Sequence, residues 1–200
     1  MTTSLPIVEQ FYTLQGEGYY SGRPAYFIRI GGCDVGCPWC DTKVSWDASK
    51  HPLTPVDEII NHASDCPSDF VVITGGEPLM HNLDYLCKGL QNAGLELSIE
   101  TSGAYPISGE WDWICLSPKI HKPPVPEIFS RANELKMVIY EEKDLEWAYE
   151  NAIQVNLKCK LYLQPEWSVF RTVLPTIVDY VKTNPHWNIS LQVHKFMRIP

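Results

Sequence analysis

Seven short apolar runs punctuate this chain, and stretches of helical periodicity separate them. The runs are 25–30 (AYFIRI), 70–74 (FVVIT), 96–101 (ELSIET), 112–117 (DWICLS), 135–140 (LKMVIY), 160–164 (KLYLQ) and 188–194 (NISLQVH). Runs this short and continuous suit strands buried on both faces of a parallel sheet. Between them, Leu83, Leu86, Cys87 and Leu90 repeat at helical spacing, with Gly94 placed to end the helix. Leu145, Ala148, Tyr149 and Ala152 repeat that spacing, as do Phe170, Val173, Leu174, Ile177 and Val181, where Pro175 must kink or divide the helix. Thr54, Pro55 and Asp57 read as an N-cap, a first-turn proline and a carboxylate near the positive helix end. Strand–helix alternation predicts an α/β fold with a parallel sheet. The 200 residues are few for a closed eight-fold barrel, which takes about 250. A partial barrel of about six strands or a doubly wound sheet fits. Either puts the site at the carboxyl ends of the strands. No repeat or Gly/Ser linker divides the chain, which reads as one domain over 1–200.

Charge narrows the partners. Lys+Arg 16 against Asp+Glu 24 give a net charge of −8, and no cationic stripe is present, so nucleic-acid backbone is not an expected partner. The first twenty residues carry neither the basic nor the apolar region of a signal peptide. No stretch approaches the ~18 uncharged apolar residues that cross a bilayer. The expectation is a soluble cytoplasmic protein with no membrane partner. Cysteine numbers 7, an odd count, and three of them crowd into eight positions. In a reducing compartment that crowding points to metal or redox chemistry.

Cys33, Cys37 and Cys40 come directly after the first run and Gly31-Gly32. A structural zinc wants four protein ligands, and the nearest additional candidates, His51 and Cys66, sit in no second knuckle. Three cysteines alone suit a 4Fe–4S cluster with one iron left open; a zinc staple with a distant fourth ligand is the alternative. Cys66, Cys87, Cys115 and Cys159 read as core or incidental thiols. Four runs end in compact polar groups that converge if the strands are parallel: 74–78 (TGGEP), 100–103 (ETSG), 117–119 (SPK) and 164–166 (QPE). Arg29 is either a carboxylate grip or a charge alternating out of a strand. Thr42 offers an oxygen donor or a turn hydroxyl. Glu100 is a carboxylate at a strand end, suited to accept from N–H donors. His194, at the end of an apolar run, is a ligand contact or a core histidine. The glycines of 15–22 miss a dinucleotide-loop spacing by one, and no strand is read before them.

Cys-x3-Cys-x2-Cys, with Trp39 before the last cysteine, resembles the radical S-adenosylmethionine signature, and 75–78 (GGEP) resembles that superfamily's glycine-rich strand end. The segments 11–18 (FYTLQGEG), 27–29 (FIR), 40–42 (CDT), 74–78, 100–103, 116–119 (LSPK) and 192–195 (QVHK) are, in that order, similar to the 7-carboxy-7-deazaguanine synthases over essentially the whole chain. The resemblance implies a partial (β/α)6-type barrel with its cluster loop at 31–42, usually a homodimer. It implies conversion of 6-carboxy-5,6,7,8-tetrahydropterin to 7-carboxy-7-deazaguanine with loss of ammonia, on the route to queuosine and related deazapurines. Cys33, Cys37 and Cys40 would hold the 4Fe–4S cluster, whose open iron would take S-adenosylmethionine. Reductive cleavage would give a 5′-deoxyadenosyl radical that takes hydrogen from substrate C6. Thr42 matches a Mg2+ ligand. Leu14, Gln15, Gly16, Arg29, Thr74, Glu100, His194 and Pro200 match substrate contacts, and Gly76, Ser102, Ser117, Pro118, Lys119 and Gln164 cofactor contacts. The implied reductant is a flavodoxin or ferredoxin. A glycyl-radical activase and the non-catalytic zinc-stapled adaptor are the competing readings.

Overall fold

The structure is a computed structural model and describes residues 4–200; residues 1–3, where the reading of the amino terminus begins, lie outside it. The elements are β1 (Ser4–Leu14), β2 (Pro24–Ile30), β3 (Leu53–Pro55), α1 (Val56–Ser64), β4 (Phe70–Gly75), α2 (Asp84–Asn92), β5 (Glu96–Thr101), β6 (Trp113–Leu116), α3 (Pro126–Arg131), β7 (Glu134–Ile139), α4 (Asp144–Ala152), β8 (Lys160–Pro165), α5 (Phe170–Thr183), β9 (Trp187–Ile189) and α6 (Val193–Met197). They build one nine-stranded sheet in the order β3-β1-β2-β4-β5-β6-β7-β8-β9. From β2 through β9 every pairing is parallel, while β1 runs antiparallel to both its neighbours. The order never doubles back after β2, so no switch point of a doubly wound sheet exists. With right-handed crossovers, a one-way order puts the helices on one face. β3 and β9 end the sheet without meeting, which makes this a partial barrel.

Period two along the strands separates the faces. Ile28, Ile73, Ile99, Leu116, Leu135 and Leu163 turn to the helices and join Ile59, Leu90, Ile128, Ala148 and Ile177 in the main core. Burial of such aliphatic side chains contributes about 1.5–3 kcal/mol each. On the other face a small cluster of Ala25, Phe27, Phe70 and Val72, backed by Phe11 and Tyr20, fills the amino end. Toward the carboxyl ends that same face carries Arg29, Thr74, Glu100, Lys136 and Gln164. Continuous apolar burial on both faces therefore holds for β4 but not for β5, β7 and β8, where a polar cavity occupies the open face.

Several expectations need correction. β1 and β3 were not read from the sequence. β1 does precede the glycines of 15–22, but the next element after them is β2 rather than a helix, so a dinucleotide loop is excluded on that ground. Of 188–194 only the first two residues extend as strand, within Trp187–Ile189, and His194 sits on the short α6. Thr54 belongs to β3, and Pro55 occupies the N-cap position without a side-chain cap. Pro175 does not divide α5, which continues from Phe170 to Thr183. Gly94, with φ +82, comes just after α2 as expected. Among the described residues no helix is long and apolar enough to cross a membrane.

Candidate active site

The thiols sit on the loop that leaves β2. Gly32 (φ +110) and Gly36 (φ +73) take backbone conformations that side chains resist, and so turn the loop over the sheet end. Gly32 N donates to Ser45 O at 2.7 Å and Cys33 N to Trp46 O at 3.0 Å, which tie the two arms of the loop together. Cys40 N donates to Cys37 O at 3.1 Å and closes the turn between the last two thiols. Trp46 Nε1 reaches Cys40 Sγ at 3.4 Å.

The end of β4 is fitted under this loop. Gly76 N donates to Ile30 O at 3.0 Å and Glu77 N to Gly32 O at 2.8 Å. A Cβ on Gly76 would collide with Gly32 O and lie 2.8 Å from Cys33 Cβ, so only glycine lets the two segments meet. Glu77 is 1% exposed, and its carboxylate accepts from Thr101 Oγ1 at 2.6 Å, Ser102 N at 2.8 Å, Leu79 N at 3.1 Å and the Ser102 hydroxyl. A buried carboxylate with four donors is satisfied in place. It joins the ends of β4 and β5 at the wall of the cavity.

A cavity of about 420 Å³ opens above these segments, within the usual range for small-ligand sites. It is lined by Cys33, Cys37, Cys40 and Thr42, by Leu14, Gln15, Gly16, Arg29, Thr74, Glu100, His194 and Pro200, and by Gly76, Ser102, Ser117, Lys119 and Gln164. Pro118 is the exception: it is buried and does not line the cavity. Burial pushes the Cys33 and Cys37 thiols up, and for Cys37 it outweighs the opposing charge of Lys119. Among the described residues no three His, Cys, Asp or Glu side chains gather as one metal ion would need. Three thiols of one loop facing one roomy cavity instead fit a cluster whose separate irons each take one sulfur.

The substrate side is a hydrogen-bonded floor. Glu100 accepts from Gln15 Nε2 at 3.1 Å and from Thr74 Oγ1 at 3.2 Å. Lys136, unassigned from the sequence, lies with Nζ 2.5 Å from Glu17 Oε2 and 3.5 Å from Glu100 Oε1. Burial acts to raise the Glu17 carboxyl, but the charge of Lys136 and hydrogen bonds from Lys136, Gln192 and Gln164 outweigh it and hold the group at about 2. Burial likewise pulls the Lys136 ammonium down, and the charges of Glu100 and Glu17 overcome it and leave it well above the ordinary lysine value. Arg29 pairs with Glu9 on β1 at 2.7 Å, so its guanidinium is oriented before any ligand arrives. Burial lowers Lys119, whose Nζ donates to Ser117 O at 2.6 Å and Ser117 Oγ at 2.7 Å. Thr42 Oγ1 has only a 3.7 Å contact with Cys40 Sγ.

The far end of the chain closes one wall. Val193 N donates to Gly16 O at 2.9 Å, and Gln192 Nε2 reaches Glu17 Oε1 at 2.8 Å. Lys195 Nζ contacts Asp41 Oδ2 at 3.2 Å, beside the last thiol. His194 lies against Gly16, where a Cβ would collide with its ring. Glu17, Glu77, Lys136 and Gln192 were not singled out from the sequence as site residues. The signal available for Lys136 was a charge at the open-face phase of an otherwise apolar run.

A model of the Radical SAM superfamily matches residues 27–116. A 7-carboxy-7-deazaguanine synthase of Flavobacterium psychrophilum is 53% identical over 98% of this chain and 93% of its own length. The chain belongs to the 7-carboxy-7-deazaguanine synthase family. The Escherichia coli synthase of the same name is 33% identical over 97% of this chain and 98% of its own. A crystal structure of QueE from Escherichia coli superposes with a TM-score of 0.79 at 31% identity, covering 94% of this chain and 93% of that one. The family is one of radical S-adenosylmethionine enzymes, which implies a 4Fe–4S cluster and S-adenosylmethionine. Membership decides against the activase and the zinc-stapled adaptor.

Proposed function

We propose that the cavity carries out the family's reaction, conversion of 6-carboxy-5,6,7,8-tetrahydropterin to 7-carboxy-7-deazaguanine with loss of ammonia, and that the residues around it divide into a cluster side and a substrate side. The observation that carries the division is that three loop thiols and the Glu100 floor share one cavity. Cys33, Cys37 and Cys40 hold the cluster. With S-adenosylmethionine bound, the cluster supplies one-electron cleavage of a carbon–sulfur bond. Gly76 lets backbone approach the cofactor, and Ser102, Ser117, Lys119 and Gln164 line its nucleoside, with Pro118 stiffening the segment from behind. Arg29 receives the substrate carboxylate as a fork already oriented by Glu9. Glu100, Thr74, Gln15 and the backbone of Leu14 and Gly16 read the pterin edge, while His194 and Pro200 close over it. These groups hold the substrate in one pose and exclude water while the reactive centre is formed.

Thr42 provides one oxygen to Mg2+, the others coming from substrate carboxylate and water. The chain works as one domain over 1–200, with its cluster loop at 31–42, in the cytoplasm as a homodimer, and takes electrons from a flavodoxin or ferredoxin. Neither nucleic acid nor membrane takes part. Anaerobic reconstitution with iron and sulfide tests the reading. The expected result is a brown protein that turns over carboxytetrahydropterin faster with Mg2+ than after chelation. A reconstituted protein that cleaves S-adenosylmethionine yet leaves this substrate untouched would overturn it.

A further inference from the structure

We propose that Lys136 is the positioning residue of the substrate-reading carboxylate, and that its ammonium sets the cavity's preference for a ligand edge built of N–H donors. The inference rests on the assignment of Glu100 to the substrate. The Lys136 side chain is 6% exposed and lies between Glu17 and Glu100, at 2.5 and 3.5 Å. Glu17 has its oxygens taken by Lys136 and by Gln192. Glu100 is held by Gln15, Thr74 and Lys136. Its side chain is 24% exposed and lines the cavity, where its remaining lone pairs are presented to a ligand.

One cation contacts both carboxylates, and it lies closer to Glu17 than to Glu100, so the negative charge of Glu100 is the less neutralised of the two. Charge in such a place demands donors. The 2-amino and ring N–H groups of a pterin supply two of them side by side. A 2-oxo counterpart sets an acceptor against an acceptor, and a site built to hydrogen-bond one group rejects the analogue lacking it by as much as about 10⁴. Without Lys136 the two carboxylates lose the cation that both contact. A nearby like charge with no cation to offset it favours protonation, and an O–H on Glu100 is a donor where the ligand needs an acceptor. Lys136 therefore acts through Glu100, not on the reacting atoms.

The test uses the reconstituted holoenzyme under anaerobic conditions and compares wild type with Lys136→Met, Lys136→Arg, Glu17→Gln and Glu100→Gln. The readouts are kcat and KM for carboxytetrahydropterin, competition by its 2-oxo counterpart, affinity for S-adenosylmethionine, and Tm. Lys136→Met is expected to raise KM about 30-fold or more and to narrow the amino-over-oxo preference about tenfold or more. S-adenosylmethionine affinity stays within about twofold. Lys136→Arg keeps the cation and brings KM back to within about fivefold, and Glu17→Gln shifts KM by less than about fivefold. If Lys136→Met does not fold, Lys136→Gln, which keeps a donor but no charge, is expected to show the same narrowing, whereas Lys136→Met/Glu17→Gln leaves Glu100 without its like neighbour and is expected to regain the wild-type preference. Equal effects of Lys136→Met and Glu17→Gln would mean that Lys136 merely ties down Glu17, and an unchanged amino-over-oxo ratio would likewise overturn the proposal. A wild-type KM in Glu100→Gln sinks the reading of Glu100 itself, whereas a raised KM there with none in Lys136→Met sinks only the role of Lys136.

Discussion

Ile99 and Glu100 are consecutive residues of β5 and belong to different problems. Ile99 is fully buried against the helices, whereas Glu100 is hydrogen-bonded into the floor of the cavity. The same backbone, read in steps of two, supplies cohesion on one face and recognition on the other. The helix-covered face is apolar and close-packed, so its residues matter by volume. The open face is polar, so its residues matter by charge and donor count. A substitution should therefore disturb stability or chemistry according to the parity of its position.

The largest expected effect lies at the rim of the open face. Cys33→Ser should remove S-adenosylmethionine cleavage by at least about 10³-fold, since the cluster loses one of three ligands, while circular dichroism of the unreconstituted protein keeps its wild-type Tm. A fall in Tm as large as that of a core variant would break the comparison. Ile99→Ala should cost about 2–5 kcal/mol, or roughly 5–15 °C in Tm for a chain of this size, with KM for the pterin unchanged below the transition. An altered KM there would show that the two faces are coupled.

Acid and base sharpen the contrast within the floor. Glu17 is held at about 2, below the unfolded carboxylate value of about 4.3. Its contribution to stability is therefore complete above that value and is lost as pH falls toward 2. Glu134 is shifted the other way by burial, with Oε1 buried and unpartnered, so its contribution is lost as pH rises through the raised value. Glu134→Gln should accordingly raise Tm by a few degrees at pH 8 and by less at pH 5; the same shift at both pH values would contradict this. The smallest effect belongs to the exterior: Arg131→Ala breaks an exposed 3.5 Å pair with Glu110 and should change stability by less than about 0.5 kcal/mol in urea titration.

The parallel strands inside the sheet were legible because their apolar residues are local and dense: 70–74 and 160–164 fall within a residue of β4 and β8. β1 was not, because a bulge between Ile7 and Glu9 breaks the alternation and half-exposed positions such as Glu9 and Tyr12 interrupt the apolar signal. α6 has five residues, too few for any periodic pattern, and its place is set by Val193 bonding to distant Gly16. Within the site, ordered motifs marked the loop thiols, Glu100 and the glycines at the end of β4. Lys136 escaped because one lysine at an alternate position of a strand reads as solvent-facing until the open face is known to be a cavity. Pro118 differs from its neighbours: Ser117 and Lys119 line the cavity, and the residue between them is buried outside the lining.

The wall formed by Gln192 and Val193 has a consequence for how the molecule is assembled. Gly18 bonds to Ser190, 172 positions further along, so this clasp joins segments that are almost as remote as the chain allows. The entropy of ring closure grows with the span enclosed, and no short-range contact can offset it before the intervening sheet has assembled. The vestibule takes its shape only where the two ends of the chain meet, which makes a competent pocket a certificate that the sheet between its two jambs has already folded.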